Sequence, residues 1–259
     1  MKKFVSIVLA IGLVFAISIT TLAGTFMYQQ DGTFWYKNDD GTMARNQWVQ
    51  ASNGNWYYFK SDGYAAAGWL YLSDEYGTGW VYLNSSGVQQ FGWQKIGGKW
   101  YYMDPGSGIM KTGWLKDGGK WYYLNSSGAM ATGWVKVSGK WYYMNGSGVM
   151  QTGWLKNGGN WYFLDSSGAM VSNDLYKIDG KKYLFSSSGA MLRGWQKWYT
   201  TSNTIEWFFF DYSGAMHIGW LNDAGNWYYL NESMYYGGYA YIGGKKYYFN
   251  YSGVCTNPY

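Results

Sequence analysis

Beyond residue 24 the apolar positions of this chain fall in short runs of four or five residues, dominated by aromatic side chains and separated by segments rich in Gly, Asn and Ser. Gly113-Trp114-Leu115-Lys116 and Trp121-Tyr122-Tyr123-Leu124 are two such runs, and both favour β structure. Asp117-Gly118-Gly119-Lys120 joins them, and its glycines supply the positive φ that a tight hairpin turn demands. The pair predicts a β-hairpin. Along its second strand Trp121 and Tyr123 share one side while Tyr122 and Leu124 share the other, so one face can build a core and the other can meet neighbours or ligand. The tail from Asn125 to Thr132 reads as a turn-rich connector. No segment past the first stretch carries an apolar stripe at helical spacing, so essentially no helix is expected.

The hairpin recurs. Residues 112–131, 132–151 and 152–171 read TGWLKDGGKWYYLNSSGAMA, TGWVKVSGKWYYMNGSGVMQ and TGWLKNGGNWYFLDSSGAMV, a period of 20 residues. Looser copies fill nearly all the rest. The first-strand Trp recurs at positions 48, 69, 93, 114, 134, 154, 195 and 220, and an aromatic cluster opens each second strand from 56–58 to 227–229. A lone hairpin is marginal in water and cannot bury its own aromatic faces. The units must therefore stack in sequence, and the expected fold is all-β, a solenoid of ~20-residue hairpins whose stability grows with each interface. Its parts are a partial repeat or cap at 24–47, repeats at 48–172, a degenerate unit at 173–192 and a second block at 193–259.

Residues 1–23 stand apart. Lys2 and Lys3 precede an apolar run from Phe4 to Ile19, and Thr21-Leu22-Ala23 puts small residues at −3 and −1 of a cleavage site. This describes a secretory signal peptide, with the mature chain starting near Gly24 outside the membrane. The rival reading, an uncleaved anchor, lacks a basic stop-transfer cluster after the run.

Composition sharpens the picture in three ways. Aromatics reach 23% of residues, with 18 Trp and 29 Tyr, so these rings form the core, bind a ligand, or both. The single cysteine, Cys255, cannot make an internal disulfide, which leaves packing to hold the chain together. The formal charge is +5; removing Lys2 and Lys3 leaves 18 Lys and Arg against 15 Asp and Glu, a mature charge of +3. That suits an anionic partner, but the cations are spread through the repeats rather than clustered, which argues against nucleic acid.

The units GW…WYY…NSSGAM closely resemble the choline-binding repeats of Gram-positive bacteria and their phages, which attach autolysins, lysins and surface proteins to teichoic acid; the resemblance spans about residues 28–259. It implies a superhelix of hairpins with ligand sites between consecutive units. Choline is a quaternary ammonium with no N–H to donate, so ring faces must recognise it through cation–π attraction. The resemblance implies a cage of the two Trp of one repeat with a Tyr of the next and the connector Met nearby. Alternation favours the last aromatic of each cluster as that third wall. The cages are then Trp48, Trp56 and Tyr82; Trp69, Trp80 and Tyr102; Trp93, Trp100 and Tyr123; Trp114, Trp121 and Tyr143; Trp134, Trp141 and Phe163; Trp195, Trp207 and Tyr229; and Trp220, Trp227 and Tyr248. Trp35 and Trp198 fall outside this register. Met110, Met130 and Met150 read first as hydrophobic wedges between hairpins. In the unit 173–192, Leu175, Lys182 and Leu184 replace three aromatics, so it is expected neither to form a cage nor to close the one begun by Trp154 and Trp161.

Nothing points to catalysis or to a metal or other cofactor. His217 is the only histidine, Cys255 has no evident partner, and the carboxylates are scattered or sit in turns such as Asp117, Asp165 and Asp223. The repeats leave no stretch of ~100 residues for a separate catalytic domain. The expectation is a secreted protein held non-covalently on the cell wall through choline of teichoic or lipoteichoic acid, as a monomer or a homodimer. Glucan or surface-glycan binding is the alternative, because related repeats in glucosyltransferases and clostridial toxins bind carbohydrate.

Overall fold

The computed structural model describes residues 24–199 and 205–257. The signal-peptide expectation lies outside the described residues. All the regular structure among them is antiparallel β, in hairpins joined by short connectors, with no helix. Two compact units divide it: residues up to Thr112 together with Ser126–Ala129, and Gly113–Asn125 together with residues from Met130 onward.

The first unit holds four hairpins: Thr25–Tyr28 with Phe34–Lys37, Gln47–Gln50 with Trp56–Phe59, Gly68–Asp74 with Gly77–Leu83, and Gly92–Ile96 with Lys99–Met103. The second holds seven. Gly113–Asp117 pairs with Lys120–Leu124, Gly133–Val137 with Lys140–Met144, and Gly153–Asn157 with Asn160–Leu164. Asp174–Ile178 pairs with Lys181–Phe185, Gly194–Tyr199 with Ile205–Phe210, Gly219–Asp223 with Asn226–Asn231, and Gly238–Ile242 with Lys245–Phe249. A short extra strand, Ser233–Met234, adds to Asn226–Asn231.

Register fixes which side chains share a face. Trp114 lies opposite Tyr123, Lys116 opposite Trp121, and Leu115 opposite Tyr122. Trp114, Trp121 and Tyr123 thus occupy one face, with Leu115, Tyr122 and Leu124 on the other. The core is not the tryptophans. Its most deeply buried row is the residue that follows each aromatic cluster: Phe59, Leu83, Met103, Leu124, Met144, Leu164 and Leu230 are fully buried, whereas Trp121 and Trp141 remain 41% and 40% exposed. Burying one such side chain contributes about 1.5–3 kcal/mol, repeated at every joint.

The connector is built from local hydrogen bonds. Asn145 Oδ1 accepts the N–H groups of Ser147 and Val149, and Asp165 Oδ1 accepts those of Ser167 and Ala169, which is why Asn or Asp opens these turns. The connector Met then joins two repeats. Met150 N–H donates to the carbonyl of Trp121 in the preceding hairpin (2.8 Å), and Met170 does the same to Trp141. Met130 in turn lies on Gly148, where a Cβ would come 2.3 Å from its sulfur; Met150 lies likewise on Gly168, and Met170 on Gly189. These methionines are therefore wedges. Cys255 takes the same place in the last repeat, bridging to Phe249 and donating its N–H to the Trp227 carbonyl, and it is buried beside Ala240 and Tyr247.

Two outcomes test this account. Gly148→Ala suffers both a φ of +77° and collision with Met130, whereas Gly133→Ala, at φ +74° with nothing within 4 Å, suffers backbone strain alone. Urea unfolding should show Gly133→Ala costing about 1–2 kcal/mol and Gly148→Ala costing roughly 1–3 kcal/mol more, the excess shrinking when Met130→Ala is added. Equal losses would remove the wedge from the account. The second concerns Asp104, which accepts from Lys111 at 2.7 Å; that hydrogen bond, ahead of the Ser107 N–H, holds its carboxyl at about 2. Because the folded value lies below the unfolded one, the stabilisation is fully present above about pH 4 and is lost as pH falls toward 2. Asp104→Asn should flatten the acid limb of a thermal-stability profile in that window.

Candidate choline site

Each first-strand Trp packs edge-to-face on the last aromatic of its own hairpin. Trp48 meets Tyr58, Trp69 meets Tyr82, Trp93 meets Tyr102, Trp114 meets Tyr123, Trp134 meets Tyr143, Trp154 meets Phe163, Trp195 meets Phe209 and Trp220 meets Tyr229, at centroid distances of 5.1–5.2 Å. The last aromatic does stand on the Trp side of its own hairpin, as alternation requires.

The ring that arrives from the following hairpin is a different one. It is the middle aromatic: Tyr101 on Trp69, Tyr142 on Trp114, Tyr162 on Trp134, Tyr183 on Trp154, Tyr228 on Trp195 and Tyr247 on Trp220, at 4.8–4.9 Å. Within each unit, consecutive hairpins stack with the Trp face of one against the opposite face of the next, and that opposite face carries the middle residue. Tyr82, Tyr102, Tyr123, Tyr143, Phe163 and Tyr229 accordingly serve their own hairpins, and Tyr248 pairs with Tyr239 at 4.9 Å. Over Trp48 the middle residue is Val81, so no ring closes in from that position; Tyr76 reaches Trp56 instead, at 6.3 Å.

Where the second-strand Trp also closes in, the result is a three-walled recess. Trp114 and Trp121 stand 6.2 Å apart at 88°, and with Tyr142, Met150 and Ser167 they line a cavity of about 380 Å³. Trp69, Trp80, Tyr101 and Met110, with Ser126 and Ser127, line another of about 370 Å³. Met150 and Met110 thus both wedge the stack and floor the recess. Lys116 Nζ lies 5.7 Å from the Trp121 ring centre, and Lys136 Nζ 5.8 Å from that of Trp141, so the rings already attract a cation in the free protein.

The unit 173–192 differs from expectation on one side. Tyr183, which the substitutions leave intact, packs on Trp154 at 4.8 Å while Trp161 stands 6.3 Å from Trp154, so three rings meet there too. Its own Trp positions are empty of rings: Leu175 and Leu184, with Trp198, Phe208, Phe210, Met216 and Asp174, line an apolar cavity of about 330 Å³. Lys182 is turned to Glu232, 2.7 Å away in the turn before Ser233–Met234. Trp35 bridges to Tyr64. His217 is tied through Nε2 to the Trp220 carbonyl (2.9 Å), and no cluster of three metal-ligating side chains occurs among the described residues.

Against this geometry the comparisons with known proteins agree. The family described as "Choline-binding repeat" matches residues 73–112, 111–148 and 131–175, and the one described as "Putative cell wall binding repeat" matches 46–65, 173–191, 218–233 and 237–255. CbpJ of Streptococcus pneumoniae is 29% identical, with a TM-score of 0.68, over 90% of this chain and 94% of its own. Choline binding protein F of the same organism is 29% identical, with a TM-score of 0.62, over 90% and 93%. The choline-binding domain of CbpL is 28% identical over 74% of this chain and 96% of its own, with a TM-score of 0.52. No curated protein sequence matches the chain. This chain belongs to the choline-binding repeat proteins, and its described residues consist of those repeats.

The third wall is testable directly. Tyr142→Leu should weaken choline binding at the Trp114 recess severalfold, read from the Trp114 indole resonance in a choline titration, whereas Tyr143→Leu should leave that resonance's midpoint unchanged and perturb Trp134.

Proposed function

We propose that this protein is exported and holds to the cell wall by binding choline substituents of teichoic or lipoteichoic acid in the recesses between successive hairpins, as an attachment protein rather than an enzyme. The observation that carries the reading is the recess of Trp114, Trp121 and Tyr142. Three mutually inclined rings enclose a space whose other walls offer no carboxylate or amide, which suits a methylated cation whose surface has no hydrogen to donate. The basic balance of the chain suits an anionic polymer carrying that cation. The structure of choline binding protein F in the presence of a peptidoglycan analogue supports a wall location by analogy.

The residues we assign to binding are Trp69, Trp80 and Tyr101; Trp114, Trp121 and Tyr142; Trp154, Trp161 and Tyr183; and Trp220, Trp227 and Tyr247, with Trp134, Trp195 and Trp48 heading lesser sites. Ligand that binds only the folded stack stabilises it, by about 2.7 kcal/mol per site at a hundredfold excess over Kd. Choline at millimolar concentration should therefore raise the melting temperature. The protein should also be retained on a resin bearing choline-like quaternary amines and be released by free choline but not by dextran. Release by dextran with no response to choline would replace this reading with carbohydrate binding. Trp121→Phe should keep the fold and lower affinity at its own recess alone.

A further inference from the structure

The recesses are not equivalent, and the difference traces to one residue outside the rings. It is the last residue of the first strand in the following hairpin, beside its turn. Where that residue is Asp or Asn, it takes the indole N–H of the preceding Trp: Trp48 Nε1 donates to Asp74 (3.0 Å), Trp134 to Asn157 (3.2 Å) and Trp195 to Asp223 (2.9 Å). Asn157 also donates to the Tyr143 hydroxyl at 3.2 Å, so it clamps the Trp134–Tyr143 pair as a unit. Where the residue is apolar, Ile96, Val137, Ile178 or Ile242, the indoles of Trp69, Trp114, Trp154 and Trp220 find no acceptor among the described residues. Ile178 and Ile242 instead pack in the clusters that hold Trp154 and Trp220.

The ring geometry follows the same division. Trp69–Trp80, Trp114–Trp121, Trp154–Trp161 and Trp220–Trp227 all stand at 6.2–6.5 Å and 80–88°, forming inside corners. At Trp48, Trp134 and Trp195 no such Trp–Trp contact forms among the described residues, although Trp134 and Trp195 keep their Tyr from the next hairpin. In the second unit the two kinds alternate from Val137 to Asn157 to Ile178. We infer that this strand-end residue sets choline affinity: an apolar side chain leaves a three-ring cage, and Asp or Asn holds the first Trp by its N–H and leaves a two-ring site. The mechanism is geometric. A cation gains from each ring face it touches, and a hydrogen bond in the indole plane fixes the ring away from its corner.

The inference rests on the choline reading above, and one titration separates the two. In the full-length protein, indole N–H resonances are followed one by one as choline is added. Trp114 should reach half-saturation at lower choline than Trp134, by roughly two- to thirtyfold, the spread expected for one ring. Val137→Asn should move the Trp114 midpoint up toward that of Trp134, and Asn157→Val should move the Trp134 midpoint down toward that of Trp114. Both swaps are uncharged, so no Coulomb effect is mixed in. Unchanged midpoints in both swaps, or shifts in the opposite direction, overturn the strand-end assignment, while the untouched Trp220 resonance shows that each variant is folded and binding. If no indole responds to choline in the unmodified protein, it is the function proposed above that fails.

Discussion

A two-stranded hairpin has no interior, and everything here follows from how that deficit is met. One face presents a Trp and the other a Tyr with a buried aliphatic residue behind it, so that the front of each hairpin finds its complement only on the back of another. The edge-to-face contact at 4.8–4.9 Å between Trp114 and Tyr142, and its counterparts, is the joint. Such a contact adds about 0.5–1.5 kcal/mol beyond burial. Each fully buried member of the row Leu124, Met144 and Leu164 adds about 1.5–3 kcal/mol, while the second-strand rings Trp121 and Trp141 stay partly exposed and free to serve a second purpose.

Stability and recognition therefore share parts without competing. Trp114 is needed by Tyr123 within its own hairpin, by Tyr142 across the joint and by the recess between them. The two ring contacts are both edge-to-face, at 5.2 and 4.8 Å, and the ring still lines the recess. A fully buried aromatic core could not do this, because its faces would already be covered. The same economy extends to the connector, where Met150 reads out the register through its N–H, fills the hollow over Gly168 through its thioether, and floors the recess.

Much of this was legible in the sequence. The 20-residue period, the Gly-Gly turns and the absence of helical spacing give the hairpins and their stacking, and each recess described above lies at a double Trp, although Trp134 and Trp141 show that the pair alone does not close one. The third wall was not legible from alternation alone, since period 2 fixes which residues share a face of one hairpin but says nothing about which face the next one offers. Tyr143 and Tyr142 exchange roles on that single point. The same limit made the unit 173–192 read as a gap: its losses at 175, 182 and 184 fall on its own front, while Tyr183 on its back still completes the neighbour before it. The strand-end residues carry a visible signal, Asp, Ile, Val and Asn in a two-repeat rhythm, but their meaning depends on an indole N–H three-dimensionally close and more than twenty residues away.

The glycine hollow under each connector methionine has a chemical consequence. Met130, Met150 and Met170 are only half-buried, yet their sulfur atoms occupy spaces in which a methyl carbon on the facing glycine would sit within 2.3–2.5 Å. A sulfoxide oxygen adds bulk to a sulfur already packed against the glycine, and it is polar and strongly hydrated. Oxidation would therefore act like a spacer driven between hairpins, loosening the joint and the floor of the adjoining recess together, and a reductase that removes the oxygen would let the stack close again.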